Sequence, residues 1–259
     1  MSNRQPPYLY KYLSCKGLIS LLKTLNIRCS QPSSFNDPFD CTPPFKFDEC
    51  SKNCIGLNKY GDTCEGYLKC VTEKCYVSCF SIQPYNLLMW GHYTDNYKGG
   101  VIKIKRDIFL LKYSKAVNYT NEIPTIPSKY CMPGFVIDEN KQEIMDLLYL
   151  RKHTCWKYEK EWRFYAHIYN LRNELNEIDI STITDLSRKK KIQRLRQTIK
   201  NNKVIIPLQS DDIEAIYVGY KNDKIDQIKE IIRQKGINAK LFKISPEHNS
   251  YNLKKQWIQ

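Results

Sequence analysis

Residues 156–165 read Trp-Lys-Tyr-Glu-Lys-Glu-Trp-Arg-Phe-Tyr, and this segment constrains the chain more than any other. Side chains on a strand alternate between faces. As a strand, it sets Glu159, Glu161, Arg163 and Tyr165 on one side and Trp156, Tyr158, Trp162 and Phe164 on the other. The aromatic side is expected to bury. The other side then carries two carboxylates and a guanidinium in a row. Such a row is an edge strand with a solvated Glu–Arg pair, or a site where anionic oxygen steadies developing positive charge.

Other segments supply partners for that strand. Tyr8–Leu13, Ile27–Ser30, Cys75–Ser81, Gly99–Lys105, Val117–Thr120, Glu161–Tyr169, Val204–Pro207, Ile213–Val218 and Ala239–Ile244 read as strands. Helices are expected over Gly17–Leu25, Asn86–Tyr97, Lys141–Trp156, Leu186–Ile199 and Lys224–Lys235, the last stopped by Gly236. The closing strand-helix-strand unit points to local parallel pairing. The fold class is therefore α+β: one mixed, mainly antiparallel β-sheet flanked by helices. It forms a single domain over 1–259, with a Cys-rich insertion at 45–75. Residues 186–259 supply a basic helix and a C-terminal β-α-β portion.

Two further motifs stand out. Phe35-Asn36-Asp37-Pro38-Phe39-Asp40 is a turn in which Asn36 and Asp37 cap backbone amides and Pro38 fixes the bend. Its two phenyl rings are expected to anchor it to the core, and Asn36 or Asp37 is a candidate ligand contact. The second motif follows the strand ending Ser78-Cys79-Phe80-Ser81. There Met89-Trp90-Gly91-His92-Tyr93 gathers an indole, an imidazole and a phenol, which together stack a planar ring and offer hydrogen bonds. Gly99 and Gly100 allow close backbone approach. The plainer reading makes Trp90, Tyr93 and Cys79 core residues and His92 a satisfied buried histidine.

Composition sets the surroundings. The 41 Lys and Arg outnumber 27 Asp and Glu, for a formal charge of +14. That favours a polyanion or nucleic acid as partner, with Arg188 to Arg196 of the basic helix as the obvious contact; an AT-rich coding sequence gives the same sign. A nuclease on this surface would use His92 with Asp37 or Asp40 as acid and base. No apolar run approaches the roughly 20 residues of a membrane span, so no membrane association is expected. Met1 to Pro7 is polar, and 11 cysteines without a secretory core point to a reducing, cytoplasmic setting. Cys50, Cys54, Cys70 and Cys75 are spaced as two half-sites for zinc; free thiols are the alternative.

Taken together and in order, Tyr10-Lys11-Tyr12, Phe35 to Phe39, Cys79 to Ser81, Met89 to Tyr93 with Lys98-Gly99, and Trp156 to Arg163 resemble a large bacterial family of unknown function, across about residues 8–220. The chain also resembles ADP-ribosyltransferases of the toxin type. Those carry a basic or aromatic residue on the first strand, a Ser-rich strand and a Glu-x-Glu pair. The resemblance implies an NAD-using effector of phage defence or toxin–antitoxin type, with a cognate antitoxin or defence-system partner. It implies Glu161 as the residue holding the nicotinamide ribose and gives His92 no role beyond stacking or substrate contact; Glu159 and His92 are kept as further catalytic candidates. Lys11, Tyr12, Asn36, Asp37, Ser81, Trp90, Tyr93 and Arg163 become candidate NAD contacts. The first position is not the usual Arg or His, and Ser78-Cys79-Phe80-Ser81 is not Ser-Thr-Ser. A non-enzymatic sensor or interaction module is the third expectation.

Overall fold

Tyr8–Leu13 extends because Pro6 and Pro7 precede it and bulky side chains alternate along it. In the computed structural model, which describes residues 5–41, 46–47, 73–126 and 141–259, that strand becomes an interior member of the main sheet. In chain order the strands are β1 (Tyr8–Leu13), β2 (Asn26–Arg28), β3 (Lys46–Phe47), β4 (Cys75–Ser81), β5 (Gly100–Lys105), β6 (Lys115–Ala116), β7 (Asn118–Tyr119), β8 (Thr125–Ile126), β9 (Arg151–Lys152), β10 (Glu161–His167), β11 (Ile205–Pro207), β12 (Ile213–Gly219), β13 (Lys240–Pro246) and β14 (Leu253–Trp257). The α-helices are α1 (Cys15–Thr24), α2 (Leu87–Tyr93), α3 (Lys141–Tyr149), α4 (Ile168–Glu177), α5 (Leu186–Lys200) and α6 (Ile225–Lys235).

Eight strands form one mixed sheet in the order β14-β13-β12-β5-β1-β4-β10-β6. Its pairings are antiparallel except β12 with β13, the parallel pair expected across α6. The α+β class holds, and the C-terminal strands extend the same sheet. Gly236 ends α6 in the left-handed conformation at φ 59°, which glycine adopts without steric cost. The main apolar core lies on one face, where Leu18, Leu21 and Leu22 of α1, Ile192, Leu195 and Ile199 of α5 and Ile228, Ile231 and Ile232 of α6 pack with Ile102, Ile104, Phe164, Ile216 and Val218. Gly99 and Gly100 serve this packing. A Cβ on Gly99 would sit 2.1 Å from the Leu13 carbonyl oxygen, and one on Gly100 2.3 Å from that of Tyr217.

One seam of the sheet is incomplete. β1 pairs with β5 over its whole length, yet meets β4 at the single register Tyr10 opposite Ser81. Beyond that point the strands part, and the Lys11 ammonium crosses the gap to the Cys79 carbonyl (2.9 Å) and Ser78 Oγ (3.1 Å). A side chain thus takes a carbonyl that a continuous ladder would give to backbone.

Several expectations need correcting. Lys141 to Trp156 is not one helix: α3 ends at Tyr149, Arg151–Lys152 pairs with Asn118–Tyr119, and Thr154–Glu159 is a 3-10 turn. β10 stops at His167, where α4 begins. β14 and α4 had no sequence-based forecast. Most of the Cys-rich insertion, residues 48–72 with Cys50, Cys54 and Cys70, lies outside the described residues; Cys75 is buried in the core. Among the described residues no group of three or more His, Cys, Asp or Glu is placed to hold a metal, and no helix is long and apolar enough to cross a membrane.

Candidate active site at the sheet split

The split opens into a cavity of about 190 Å³. Its walls come from β1 (Tyr10, Lys11, Tyr12), β4 (Val77, Cys79, Phe80, Ser81), the Phe35–Asp40 loop, and Met89 and Tyr93 of α2. Lys152, Glu159 and Glu161 complete it. A cavity this size is smaller than the roughly 300–1,000 Å³ of pockets that swallow drug-sized ligands.

The charged face of β10 is buried. Arg163 is fully inaccessible, and Glu161 and Glu159 are 4% and 3% exposed. The aromatic side buries as expected, with Phe164 in the main core and Trp162 packed against it, and the charged side buries as well because it is paired. Arg163 Nε and Nη2 donate to Glu161 (2.8 and 2.9 Å) and Nη2 also donates to Asp40 (2.8 Å), whose other carboxylate oxygen pairs with Nη1 at 2.7 Å. Nη1 also reaches the Tyr149 carbonyl at 2.9 Å and Cys41 Sγ at 3.3 Å. All three guanidinium nitrogens are engaged, the condition under which a buried charge is tolerated. Lys152 lies on the other side, with Nζ 2.6 Å from Glu159, 3.2 Å from Glu161 and 3.2 Å from Asp40. Three carboxylates face two cations.

The two glutamates arrive by different routes. Glu161 is the first residue of β10. Glu159 ends the 3-10 turn, and Lys160 between them is left-handed at φ 46°. Strand alternation therefore does not bring Glu159 to the site; the Lys160 kink does. Ser81 fixes that kink: its hydroxyl donates to the Glu159 carbonyl (2.7 Å) and accepts from the Gln83 amide (3.2 Å). Gln83 and Asn86 side chains hold the Tyr158 carbonyl at 2.8 and 3.2 Å, and the Tyr12 hydroxyl donates to the Gln83 carbonyl at 3.0 Å.

The electrostatics separate the pair. Burial pushes Glu161 up, but Arg163 and then Lys152 outweigh it and hold the carboxyl down at about 2. Burial dominates at Glu159; Lys152 opposes it, Glu161 adds to it, and the result is a raised pKa. The Tyr93 hydroxyl donates to Glu159 at 2.6 Å, and burial beside that carboxylate pushes the phenol up. Lys152 is held protonated: burial works against its charge, and the surrounding carboxylates, Glu161 first, more than compensate. Neighbouring carboxylates pushed in opposite directions are how one site supplies both a fixed anion and a proton carrier.

Residues 89–164 match the family model described as a protein of unknown function (DUF2971). The DUF2971 match runs from Met89 in α2 to Phe164 in β10. It takes in Tyr93, Lys152, Glu159, Glu161 and Arg163, and is shorter than the 8–220 span of the sequence motifs. No curated protein and no solved structure matches the chain.

The remaining candidates divide cleanly. Lys11, Tyr12, Asn36, Ser81, Tyr93, Glu159 and Glu161 line the cavity. Arg163 lies behind it. Trp90 is fully buried and does not line it; its indole donates to the Pro84 carbonyl at 2.7 Å and stacks on Tyr97. His92 is exposed, edge-on to Tyr93, and does not line the cavity either. Asp37 caps the Phe39 amide at 2.9 Å and faces a different pocket. With Asp40 taken by Arg163 and Lys152, the His92–Asp37/Asp40 acid–base set does not assemble. Phe35 packs inward, whereas Phe39 is 60% exposed rather than an anchor. Cys79 packs against the smaller core cluster, as expected, and also lines the cavity. Sequence reasoning missed Lys152 and Tyr119, whose hydroxyl accepts from the Glu161 amide at 2.8 Å.

Proposed function

We propose that the chain is an NAD-dependent ADP-ribosyltransferase-like enzyme acting at the sheet split. One observation carries this reading: Tyr10 is directly opposite Ser81, and Ser81 directly opposite Glu161, across three neighbouring strands. The first strand, the Ser strand and the Glu-x-Glu strand thus stand side by side in the order that the resemblance implies, with the cavity at their junction. Register puts Tyr10 rather than Lys11 or Tyr12 in the row, but all three line the cavity.

The residues fit the substrate. Tyr10, Tyr12, Phe35 and Met89 offer apolar and aromatic walls for a planar ring, and two carboxylates lie beside them. The cavity takes the nicotinamide ribose rather than the whole dinucleotide. In the reaction, the bond from ribose C1′ to the nicotinamide nitrogen breaks and its electron pair leaves with neutral nicotinamide. An acceptor nitrogen or oxygen bonds to C1′ and loses its proton. Glu161, ionised at any physiological pH, sits where it can steady positive charge growing on the ribose. Glu159, with its raised pKa, is the group suited to take the acceptor's proton. Ser81 and Arg163 are positioning residues.

The test is to incubate the full chain with adenosine-labelled NAD and short single-stranded oligonucleotides. Nicotinamide release with label joined to the oligonucleotide is the expected result. Glu159→Gln should lower turnover by roughly 10²–10⁴ while NAD binding persists. Absence of both nicotinamide release and NAD binding would sink the proposal.

A further inference from the structure

We infer that a second cavity, which shares the Phe35–Asp40 loop and Lys152 with the first, binds a mononucleotide. The site itself does not depend on the reading above; only one source of its ligand, the nucleotide half of NAD, rests on it.

This cavity has a volume of about 480 Å³, inside the roughly 300–1,000 Å³ range of small-molecule pockets. Asn36 and Asp40 line the smaller cavity, Asp37 and Phe39 the larger, and Lys152 lines both. Lys152 keeps its ammonium on Asp40, Glu159 and Glu161. The same ammonium lies 4.9 Å from the centre of the Trp156 ring. Trp156 and Phe39 are the aromatic residues of the wall. Phe39 is 60% exposed and Trp156 partly so, and Ile123, 45% exposed, extends the apolar lining.

A cation without a partner stands beside these rings. Arg151 precedes Lys152 on β9 and lines the cavity. Among the described residues its guanidinium makes no hydrogen bond and no ion pair, and its Nε is buried. Other arginines are engaged: Arg163 in the carboxylate cluster, Arg106 on the Lys112 and Ser114 carbonyls, Arg194 of α5 on those of Thr24, Leu25 and Leu208. A guanidinium presents its donors in a fixed fork that matches a phosphate, and a buried donor left unmade is costly. His153 adds a second donor. Its Nδ1 accepts from the Cys155 amide at 3.3 Å, so the neutral ring carries its proton on Nε2. Two carboxylates also line the wall. Asp37 is turned to the Phe39 amide at 2.9 Å, and Glu122 is exposed.

This combination selects the occupant. The rings take one base, and the guanidinium with the imidazole takes a phosphate. An apolar ligand would leave Arg151 unpaired, and phosphate alone would leave the rings without a partner. Two sources supply this chemistry: a free nucleotide, and the nucleotide half of the dinucleotide whose nicotinamide ribose is assigned above to the smaller cavity.

Calorimetric titration of the full chain with AMP, adenosine and inorganic phosphate tests the site. We expect AMP to bind, with adenosine and phosphate each at least about 10-fold weaker, since one lacks the anion and the other the ring. Arg151→Met should weaken AMP about 10- to 100-fold, the scale of lost hydrogen bonds to a charged group. It should leave the urea midpoint unchanged, since this guanidinium holds no other described residue. Trp156→Ala should weaken AMP about 5- to 100-fold, and Trp156→Phe much less, the scale of one stacked base. NAD that displaces AMP assigns the cavity to the dinucleotide; NAD that leaves AMP in place assigns it to a free nucleotide. No AMP binding at millimolar concentration, adenosine or phosphate as tight as AMP, or AMP binding indifferent to both Arg151→Met and Trp156→Ala would overturn the inference. AMP binding without NAD turnover would keep this site and remove the reaction; NAD turnover without AMP binding would do the reverse.

Discussion

The two wings of the sheet, either side of the β1–β4 split, are built on opposite plans. The β4-β10-β6 wing buries Asp40, Glu159, Glu161, Lys152 and Arg163. The β5-β12-β13-β14 wing keeps Lys240, Lys254 and Lys255 at the surface and leaves aromatic rings partly open. Buried ion pairs seldom stabilise a fold better than apolar packing would, because desolvation cancels most of the attraction. The first wing therefore makes sense as a device that fixes two carboxylates in place. The second is held by apolar packing on both faces, with Val101, Ala215, Tyr217 and Ile244 buried beside Trp90, and it exposes lysines and the Trp257 indole mainly at its β14 edge.

The largest expected effect breaks the first wing. Arg163→Met leaves Asp40 and Glu161 buried without their main cation and should cost roughly 3–5 kcal/mol in urea unfolding. A loss under about 1 kcal/mol would mean the cluster is far better hydrated than its burial indicates. Acid should act on the same wing. Glu161 is held near 2 against an ordinary 4.5, so its contribution is full above about 4.5 and disappears as the pH falls toward 2, about 3 kcal/mol in all. Glu159 works with the opposite sign: its raised value favours the fold as protons are added, so stability should rise slightly on mild acidification before the Glu161 loss sets in. Denaturant melts across this pH range separate the two trends. The smallest effect belongs to the second wing. Trp257→Ala and Lys255→Ala should leave unfolding free energy within about 0.5 kcal/mol, and a larger change would show that these residues hold the fold rather than present a surface.

Much of the fold was legible. Alternation located β5, β10, β12 and β13, and Gly236 marked the end of α6. β14 was missed because Leu-Lys-Lys-Gln-Trp buries no side chain fully and shows no apolar period. Past Tyr149, Leu150-Arg151-Lys152 continues a helical pattern, but pairing with Asn118 and Tyr119 wins locally, and Lys152 was lost inside the predicted helix. The site was half legible. Glu161 and Glu159 stood out by spacing, yet nothing in Glu-Lys-Glu announces a left-handed lysine. In the Phe35–Asp40 loop the capping logic singled out Asn36 and Asp37; Asp40 joins the cluster through Arg163, a partner 123 residues away in sequence. Indole and imidazole chemistry drew notice to Trp90 and His92, but burial and exposure, which a short motif does not encode, take both away from the cavity.

The account's central claim is that Glu161, held ionised at the Tyr10–Ser81–Glu161 row, serves the chemistry of NAD. Nicotinamide release by Glu161→Gln, in protein shown by circular dichroism and urea unfolding to be folded, tests it most directly. The account predicts a fall of at least about 100-fold relative to the unaltered chain, the scale of losing one preorganised electrostatic contact. Undiminished release from a folded Glu161→Gln protein would contradict it.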